Sequence, residues 1–272
     1  MKILRLSIFA ILVALIPQLC LSQTQLIVHL TDGKKDSFDI ALIDSITFSL
    51  ADTSMTQIPP DFIAYYPFNG NANDESGNGN DGELQGNATV TDILIIGDNS
   101  SDRLSLPHTI VDGIADFTFS ARVKINVLHK TGSNPFRGNA LISTANSSVD
   151  NVFAVGYVSN VGVWRYTFQQ THLDFNDTTV EDLNWHHIVV LRNSTTARLY
   201  LDGIEVGNGL TVTDTPLTIE MGGFIIGQEQ DSLGGGFVAD ESWAGEIDNL
   251  RIYNRALSHT EVQIVFNIDG KN

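Results

Sequence analysis

The sequence predicts an all-β protein: a two-sheet antiparallel jelly-roll sandwich with one short C-terminal helix, preceded by a small β-hairpin segment. Three observations carry this expectation. Phe117, Phe119, Ala121, Val123 and Ile125 alternate with Thr118, Ser120, Arg122 and Lys124, which gives a strand one buried and one wet face. Leu199-Tyr200-Leu201 and Ile204-Glu205-Val206 flank Asp202-Gly203, a two-residue hairpin signal. The 23 glycines with few helix-type charge pairs suit many short strands joined by turns.

Taken in order, residues 1–22 read as an export signal. Lys2 and Arg5 supply a positive start, and Leu6 to Ile16 is an apolar run too short to span a bilayer comfortably. Cys20-Leu21-Ser22 puts small side chains at the −3 and −1 positions, so cleavage is expected before Gln23. Cys20 is the only cysteine, which leaves the mature chain without a disulfide and dependent on its core or on metal ions. Residues 23–50 form a short hairpin module, with Leu26 to Leu30 and then Phe38 and Ile40 around the turn at Asp32-Gly33. Residues 51–60, ending in Pro59-Pro60, read as a linker. Residues 61–268 form the main domain. Within it Trp185 to Leu191 is apolar on both faces, as a central strand is, and Ile247, Leu250 and Ile252 mark a late strand. Ser258-His259-Thr260-Glu261 is a capping box ahead of Val262, Val265 and Phe266, which places the helix.

Composition narrows the function. Fifteen basic against 32 acidic residues give a net charge of −17, and removal of Lys2 and Arg5 with the signal makes it more negative. A nucleic-acid backbone binder needs a basic surface, so that class is excluded. Membrane attachment through a basic patch is disfavoured in the same way, and no membrane insertion is expected after signal cleavage. Hydrophobic residues at 42% and charged ones at 17% argue for a packed core.

Several stretches carry a resemblance. Tyr65 to Asp74 with Ser76-Gly77-Asn78-Gly79, Trp185-His186-His187 with Leu199 to Gly203, and Gly245 to Ser258 resemble the opening, middle and close of bacterial laminin-G-like (concanavalin A-like) domains. Ile226 to Gly235 is similar to the calcium loop of pentraxins. The Ile43 to Phe48 stretch resembles the end of a short module that follows the signal in secreted bacterial proteins. The laminin-G resemblance implies a lectin/glucanase-type fold. The pentraxin resemblance implies that the Glu229-Gln230-Asp231 run binds Ca²⁺ with an earlier Asp-Asn pair and a later Glu and Gln. Matched by position, the earlier pair falls on Gly138-Asn139, the later Glu on Val238 and the Gln on Glu241. Each calcium position thereby loses one carboxylate, with Glu241 a partial replacement at the second. The pentraxin cysteine pair falls on Ser120 and Val189, so that bridge is absent.

The loop also makes chemical sense without the resemblance. Calcium takes six to eight oxygen ligands from carboxylates, amides and carbonyls. Glu229 and Asp231 offer carboxylates, Gln230 its main-chain carbonyl, and Asp240 and Glu241 can fold back towards them. The other reading is a solvated acidic loop. An alternative structural ion is conceivable at Asp74 with Asp248. The loop from Asn69 to Gly82 resembles an EF-hand in its alternating Asn, but Asn69 and Asn80 replace the first Asp and the terminal Glu, which excludes a true EF-hand. An ordinary Asx-turn loop accounts for it equally.

No catalytic set is expected. Glu246-Ile247-Asp248 begins the glucanase pattern, but neither Leu250 nor Arg251 supplies the further acid. His186 and His187 point to opposite faces of one strand and cannot jointly chelate a metal. Two classes remain. One is a secreted, non-catalytic, calcium-dependent module that recognises glycans or cell-surface polymers, with Trp164, Tyr166, Phe168 or Trp243 stacking on sugars if exposed. The other is a calcium-stabilised accessory domain that mediates protein contacts.

Overall fold

The computed structural model describes residues 25–29, 35–39, 57–129, 138–175 and 180–269. The expected signal with its cleavage site, the Asp32-Gly33 turn, the Ile43 to Phe48 stretch and residues 51–56 of the linker lie outside these residues. By its internal contacts the chain divides into two units between residues 54 and 55. In the first, β1 (Gln25–His29) and β2 (Lys35–Asp39) pair antiparallel, from Gln25 opposite Asp39 to His29 opposite Lys35.

The second unit is built from two antiparallel sheets. Its first strands are β3 (Ala64–Tyr66), β4 (Glu83–Gln85), β5 (Thr89–Val90), β6 (Leu94–Ile96) and β7 (Arg103–Ser105). The longer ones follow: β8 (Phe117–Ile125), β9 (Asn139–Thr144), β10 (Phe153–Val158), β11 (Val163–Phe168), β12 (Thr171–Phe175) and β13 (His186–Asn193). The set closes with β14 (Thr196–Leu201), β15 (Ile204–Glu205), β16 (Leu210–Thr211), β17 (Phe224–Ile226), β18 (Gly245–Tyr253) and the helix α1 (His259–Asp269). The front sheet runs β12-β11-β10-β9-β17-β7-β4. The back sheet runs β15-β14-β13-β8-β18-β6-β5, with β16 on β14 and β3 on β18.

The expected alternation of β8 sets Phe117, Phe119, Ala121, Val123 and Ile125 into the space between the sheets. There they meet Phe153, Tyr166 and Phe224, with ring centroids 5.4 Å apart for Phe119 and Phe153 and 5.2 Å for Phe153 and Tyr166. β13 is apolar on both faces because it serves two cores. Ile188 and Val190 join the inter-sheet core, while Val189 and Leu191 pack with Tyr200, Tyr253, Leu257, Val262 and Val265 beneath α1. The capping box forms as expected: Ser258 N donates to Glu261 Oε2 at 2.7 Å and Glu261 N to Ser258 Oγ at 3.3 Å. Asp202 and Gly203 both have positive φ, 49° and 76°, as a type I′ turn requires.

The four aromatic residues considered for sugar stacking do not reach the surface. Trp164, Tyr166 and Trp243 are all 0% exposed and Phe168 is 4% exposed. Trp164 and Trp243 pack on each other with centroids 6.2 Å apart. Trp164, Tyr166 and Phe168 share one phase of β11 and Trp243 lies just ahead of β18, and large rings at these positions fill the sandwich. Among the described residues no helix is long and apolar enough to cross a membrane.

Candidate metal site

The site is the loop that leaves β17 and returns to β18. After Ile226 the chain turns at Gly227, whose φ is +85° and where a Cβ would lie 2.7 Å from Ile96 Cγ1. Trp243 N donates to Gly227 O at 2.9 Å, and Gln228 pairs with Ser242 in an isolated antiparallel bridge. The next residues inward, Glu229 and Glu241, are therefore neighbours. Within the loop Ser232 and Gly235 exchange backbone hydrogen bonds of 3.2 and 2.9 Å. Gly236 has φ +76°, and a Cβ there would come within 2.6 Å of Asp231 Cβ, so the chain can fold past Asp231 only with glycine at this position.

Carboxylate oxygens of Glu229, Asp231 and Glu241 all lie within 4.8 Å of one another. Glu229 and Glu241 are 2% and 1% exposed, while Asp231 is exposed. Among the described residues no lysine or arginine forms an ion pair with Glu229 or Asp231. Burial pushes the Glu229 carboxyl up to about 8, and the charges of Glu241 and Asp231 push the same way; a hydrogen bond from Asn151 opposes them. Two ionised carboxylates at this spacing repel by about 3 kcal/mol if the effective dielectric is ~20. Oxygen-only donors of this kind suit a hard divalent cation rather than a thiolate- or imidazole-preferring metal.

Gln230, which was expected to offer its main-chain carbonyl, fixes the loop with its side chain. Its Nε2 donates to Ser143 Oγ at 2.8 Å and Gly223 O at 3.2 Å, and its Oε1 accepts from Gly234 N at 2.9 Å. Asp240 sits half-buried in the 3-10 turn Ala239–Glu241, outside the three-carboxylate cluster. Asn139, expected as a weaker partner, is used elsewhere. Its Nδ2 donates to Val127 O at 2.7 Å and Trp243 O at 2.9 Å, and its Oδ1 accepts from His129 N at 3.3 Å. It ties β9 to the segments on either side and is a structural residue.

The amide beside the carboxylates belongs to Asn151. Its Nδ2 lies 2.6 Å from Glu229 Oε1, and its Oδ1 is buried without a hydrogen-bond partner. Asn151, preceded by Asp150 in the loop between β9 and β10, is the amide that the sequence reading missed. The signal was in the sequence, as those two residue types in that order. The resemblance was matched instead to Gly138-Asn139, about a dozen residues earlier.

The Asp74 and Asp248 alternative lies outside the carboxylate cluster, and both groups have protein hydrogen-bond partners. Asp74 Oδ1 accepts from Tyr65 N and Ser76 N, both at 2.9 Å, and Oδ2 accepts from Ser76 Oγ at 2.7 Å and Asn80 N at 3.0 Å. Burial raises the Asp74 carboxyl, but these bonds together outweigh it and leave the group below its ordinary value. Asp74 organises an Asx-type loop. Asp248 accepts from Asn249 N and Nδ2 at 2.9 and 3.1 Å and faces Arg122 at 3.7 Å. Glu246 accepts from Lys124 at 3.1 Å and Asn126 at 3.0 Å. The two adjacent histidines have separate partners: His186 lies between Asp182 and Asp202, and buried His187 meets Ser120 Oγ at 3.0 Å.

Comparison with known proteins bears on the whole unit. The family Laminin_G_3, described as the concanavalin A-like lectin/glucanases superfamily, matches residues 98–263. Rat (Rattus norvegicus) neuronal pentraxin-1 is 36% identical over 85 residues, 30% of this chain and 20% of that protein. C-reactive protein 1.4 of Limulus polyphemus is 33% identical over 82 residues, 29% of this chain and 34% of that one. The chain therefore spans only a fifth to a third of the length of these relatives. Among solved structures, Trypanosoma rangeli sialidase superposes with a TM-score of 0.59 at 19% identity, over 79% of this chain and 34% of that one. The binding domain of Paraclostridial Mosquitocidal Protein 1 gives 0.58 at 16% identity, over 78% and 53%. At these identities the superpositions show the fold alone.

Proposed function

The chain belongs to the Laminin_G_3 family of the concanavalin A-like lectin/glucanases superfamily, and from that premise we propose that it is an exported, non-catalytic, calcium-dependent binding module for glycans or cell-surface polymers. The carrying observation is the Glu229, Asp231 and Glu241 cluster, whose ligand oxygens lie within 4.8 Å of one another. A Ca²⁺ ion there would replace the mutual repulsion of three carboxylates with attraction. The Gln230 carbonyl would add a fourth oxygen. Asn151 would add a fifth by turning its amide so that Oδ1 faces the ion, since amide oxygen and nitrogen occupy equivalent positions. Water or a ligand hydroxyl completes the six to eight that calcium takes.

A ligand would bind by giving oxygens to an ion held partly at the surface through exposed Asp231. The non-catalytic reading is supported by Glu246 and Asp248, whose oxygens already accept hydrogen bonds from Lys124, Asn126 and Asn249. An acid or base for glycoside cleavage needs a free carboxyl at the reacting bond. Export rests on the features of residues 1–22 described above. The test is glycan-array binding with calcium and with chelator. Chelator-sensitive binding that is lost in Asp231→Ala supports the proposal. Calcium-stabilised folding with no glycan or polymer bound would replace it with the accessory-domain reading.

A further inference from the structure

The outer face of the back sheet is divided in two. One half lies beneath α1, where Phe266 packs on His187 with centroids 5.8 Å apart and Val262 and Val265 cover Val189 and Tyr253. The other half has polar rows. Cross-strand register aligns His187, Arg122 and Asp248 in one row and puts Lys124 opposite Glu246 in the next. Trp185 precedes β13 in the outward phase of His187 and Val189, and the Arg122 guanidinium carbon lies 4.5 Å from its ring centroid.

The bonding in these rows is uneven. Lys124, Glu246 and Asn126 satisfy one another at 3.0–3.1 Å. Arg122 does not share in this. Its nearest carboxylate oxygen, Asp248 Oδ2, is 3.7 Å away, longer than a hydrogen bond, and its Nε is buried without a partner. A guanidinium carries five N–H donors in a fixed plane, and a ring holds this one in place. Trp185 itself is half-buried, whereas Trp164 and Trp243 are fully buried.

We infer that Arg122, Trp185 and Asp248 form a second saccharide subsite, one that works without a metal and takes a neutral pyranose bearing a vicinal diol. The chemistry selects this ligand in three ways. A diol needs a donor for one hydroxyl oxygen, which Arg122 provides, and an acceptor for a hydroxyl hydrogen, for which each Asp248 oxygen, bonded once to Asn249, keeps a second lone pair. The C–H face of a pyranose suits the ring of Trp185. Two bases, Arg122 and Lys124, stand against two acids, Glu246 and Asp248, so the patch favours neither an anionic nor a cationic ligand. This subsite lies on different residues from the carboxylate loop and does not depend on the calcium proposal.

The three tryptophans give a clean measurement, since only Trp185 has surface to report binding. The full chain, in EDTA, is titrated with cellotetraose, laminaritetraose, mannotetraose and xylotetraose while the three indole N–H resonances are followed, with Trp185→Phe assigning the signal. The expected result is a saturable shift of the Trp185 resonance with at least one of the four. Affinity should be weakened about tenfold or more in Arg122→Ala. Arg122→Lys, which keeps the charge but loses the planar fork, reads the same loss if the alanine variant fails to fold. No shift with any tetrasaccharide up to about 10 mM, affinity unchanged in both arginine variants, or binding seen only when calcium is added overturns the inference. The last outcome would support the carboxylate loop instead.

Discussion

Gln228 and Ser242 are partners in a single antiparallel bridge, and that pairing sets Glu229 beside Glu241 across the neck of a loop of about a dozen residues. A strand pair of this kind normally separates like charges, because opposed carboxylates are destabilising. Here two nearly buried ones are brought together with Asp231. A fold does not gain from such an arrangement unless a cation joins it, and the predictions follow from that cost.

Calcium should raise the melting temperature. Binding to the folded state alone contributes about 2.7 kcal/mol when free ion is a hundredfold above its dissociation constant, and each kcal/mol shifts a unit of this size by about 2–4 °C. Asp231→Ala should abolish most of the rise and Asn151→Ala part of it. Asn139→Ala should lower the melting temperature equally with and without calcium, because its amide joins backbone segments. Differential scanning calorimetry of the three variants checks the ordering.

The buried charge of Glu229 gives the calcium-free protein a pH dependence. Its carboxyl is raised from 4.5 to about 8, first by burial and then by Glu241 and Asp231. The folded state therefore holds its proton more tightly than the unfolded chain. Stability from this group is complete below pH 4.5 and is lost as pH rises through about 8. Glu229→Gln should flatten that decline, stabilise the chelated protein at pH 8 and remove the calcium response. Urea unfolding at several pH values in chelator reads it, and a variant less stable than wild type at pH 8 would count against the like-charge account.

His186 has the opposite sign. Asp202 at 2.8 Å from Nδ1 raises it most; burial opposes that, and Asp182 at 2.9 Å from Nε2 raises it further, to about 9. Its contribution is complete below pH 6.5 and is lost as pH rises through about 9. Asp182 and Asp202 are 51% and 40% exposed in their side chains, so solvent screening limits the effect to about 1 kcal/mol or less. His186→Gln should remove the stability loss between pH 6.5 and 9, as measured by chemical denaturation.

Much of the architecture was legible in the sequence because it rests on local rules. Asp202-Gly203 gave its turn type, Ser258 and Glu261 their reciprocal cap, and β8 its inward residues through period two alone. The matching of the pentraxin cysteine pair to Ser120 and Val189 also has a structural counterpart, since those residues lie opposite each other on β8 and β13. What was not legible depends on which strands become neighbours. Asn151 reaches Glu229 only because β10, β9 and β17 are consecutive in the front sheet. Trp164 and Trp243 read more readily as core than as sugar platforms, and the closing of the second sheet over them is what decides it. The acids of Glu246-Ile247-Asp248 could be counted from the sequence, but their occupation by Lys124, Asn126 and Asn249 could not.

That occupation predicts no glycosidase activity. Without a free proton donor a glycosidic leaving group forgoes general-acid help of about 10²–10⁴-fold. Reducing-sugar assays on β-glucans and arabinans should give the same background for wild type and Glu246→Gln. Reproducible sugar release that disappears in the variant would contradict it.

The most direct measurement is a crystal structure grown with millimolar calcium and examined by anomalous scattering. The account predicts one ion about 2.3–2.6 Å from carboxylate oxygens of Glu229, Asp231 and Glu241, with the Gln230 carbonyl and Asn151 Oδ1 turned towards it. An empty loop with Glu229 still hydrogen-bonded to Asn151 Nδ2, or an ion held at Asp74 instead, would contradict it.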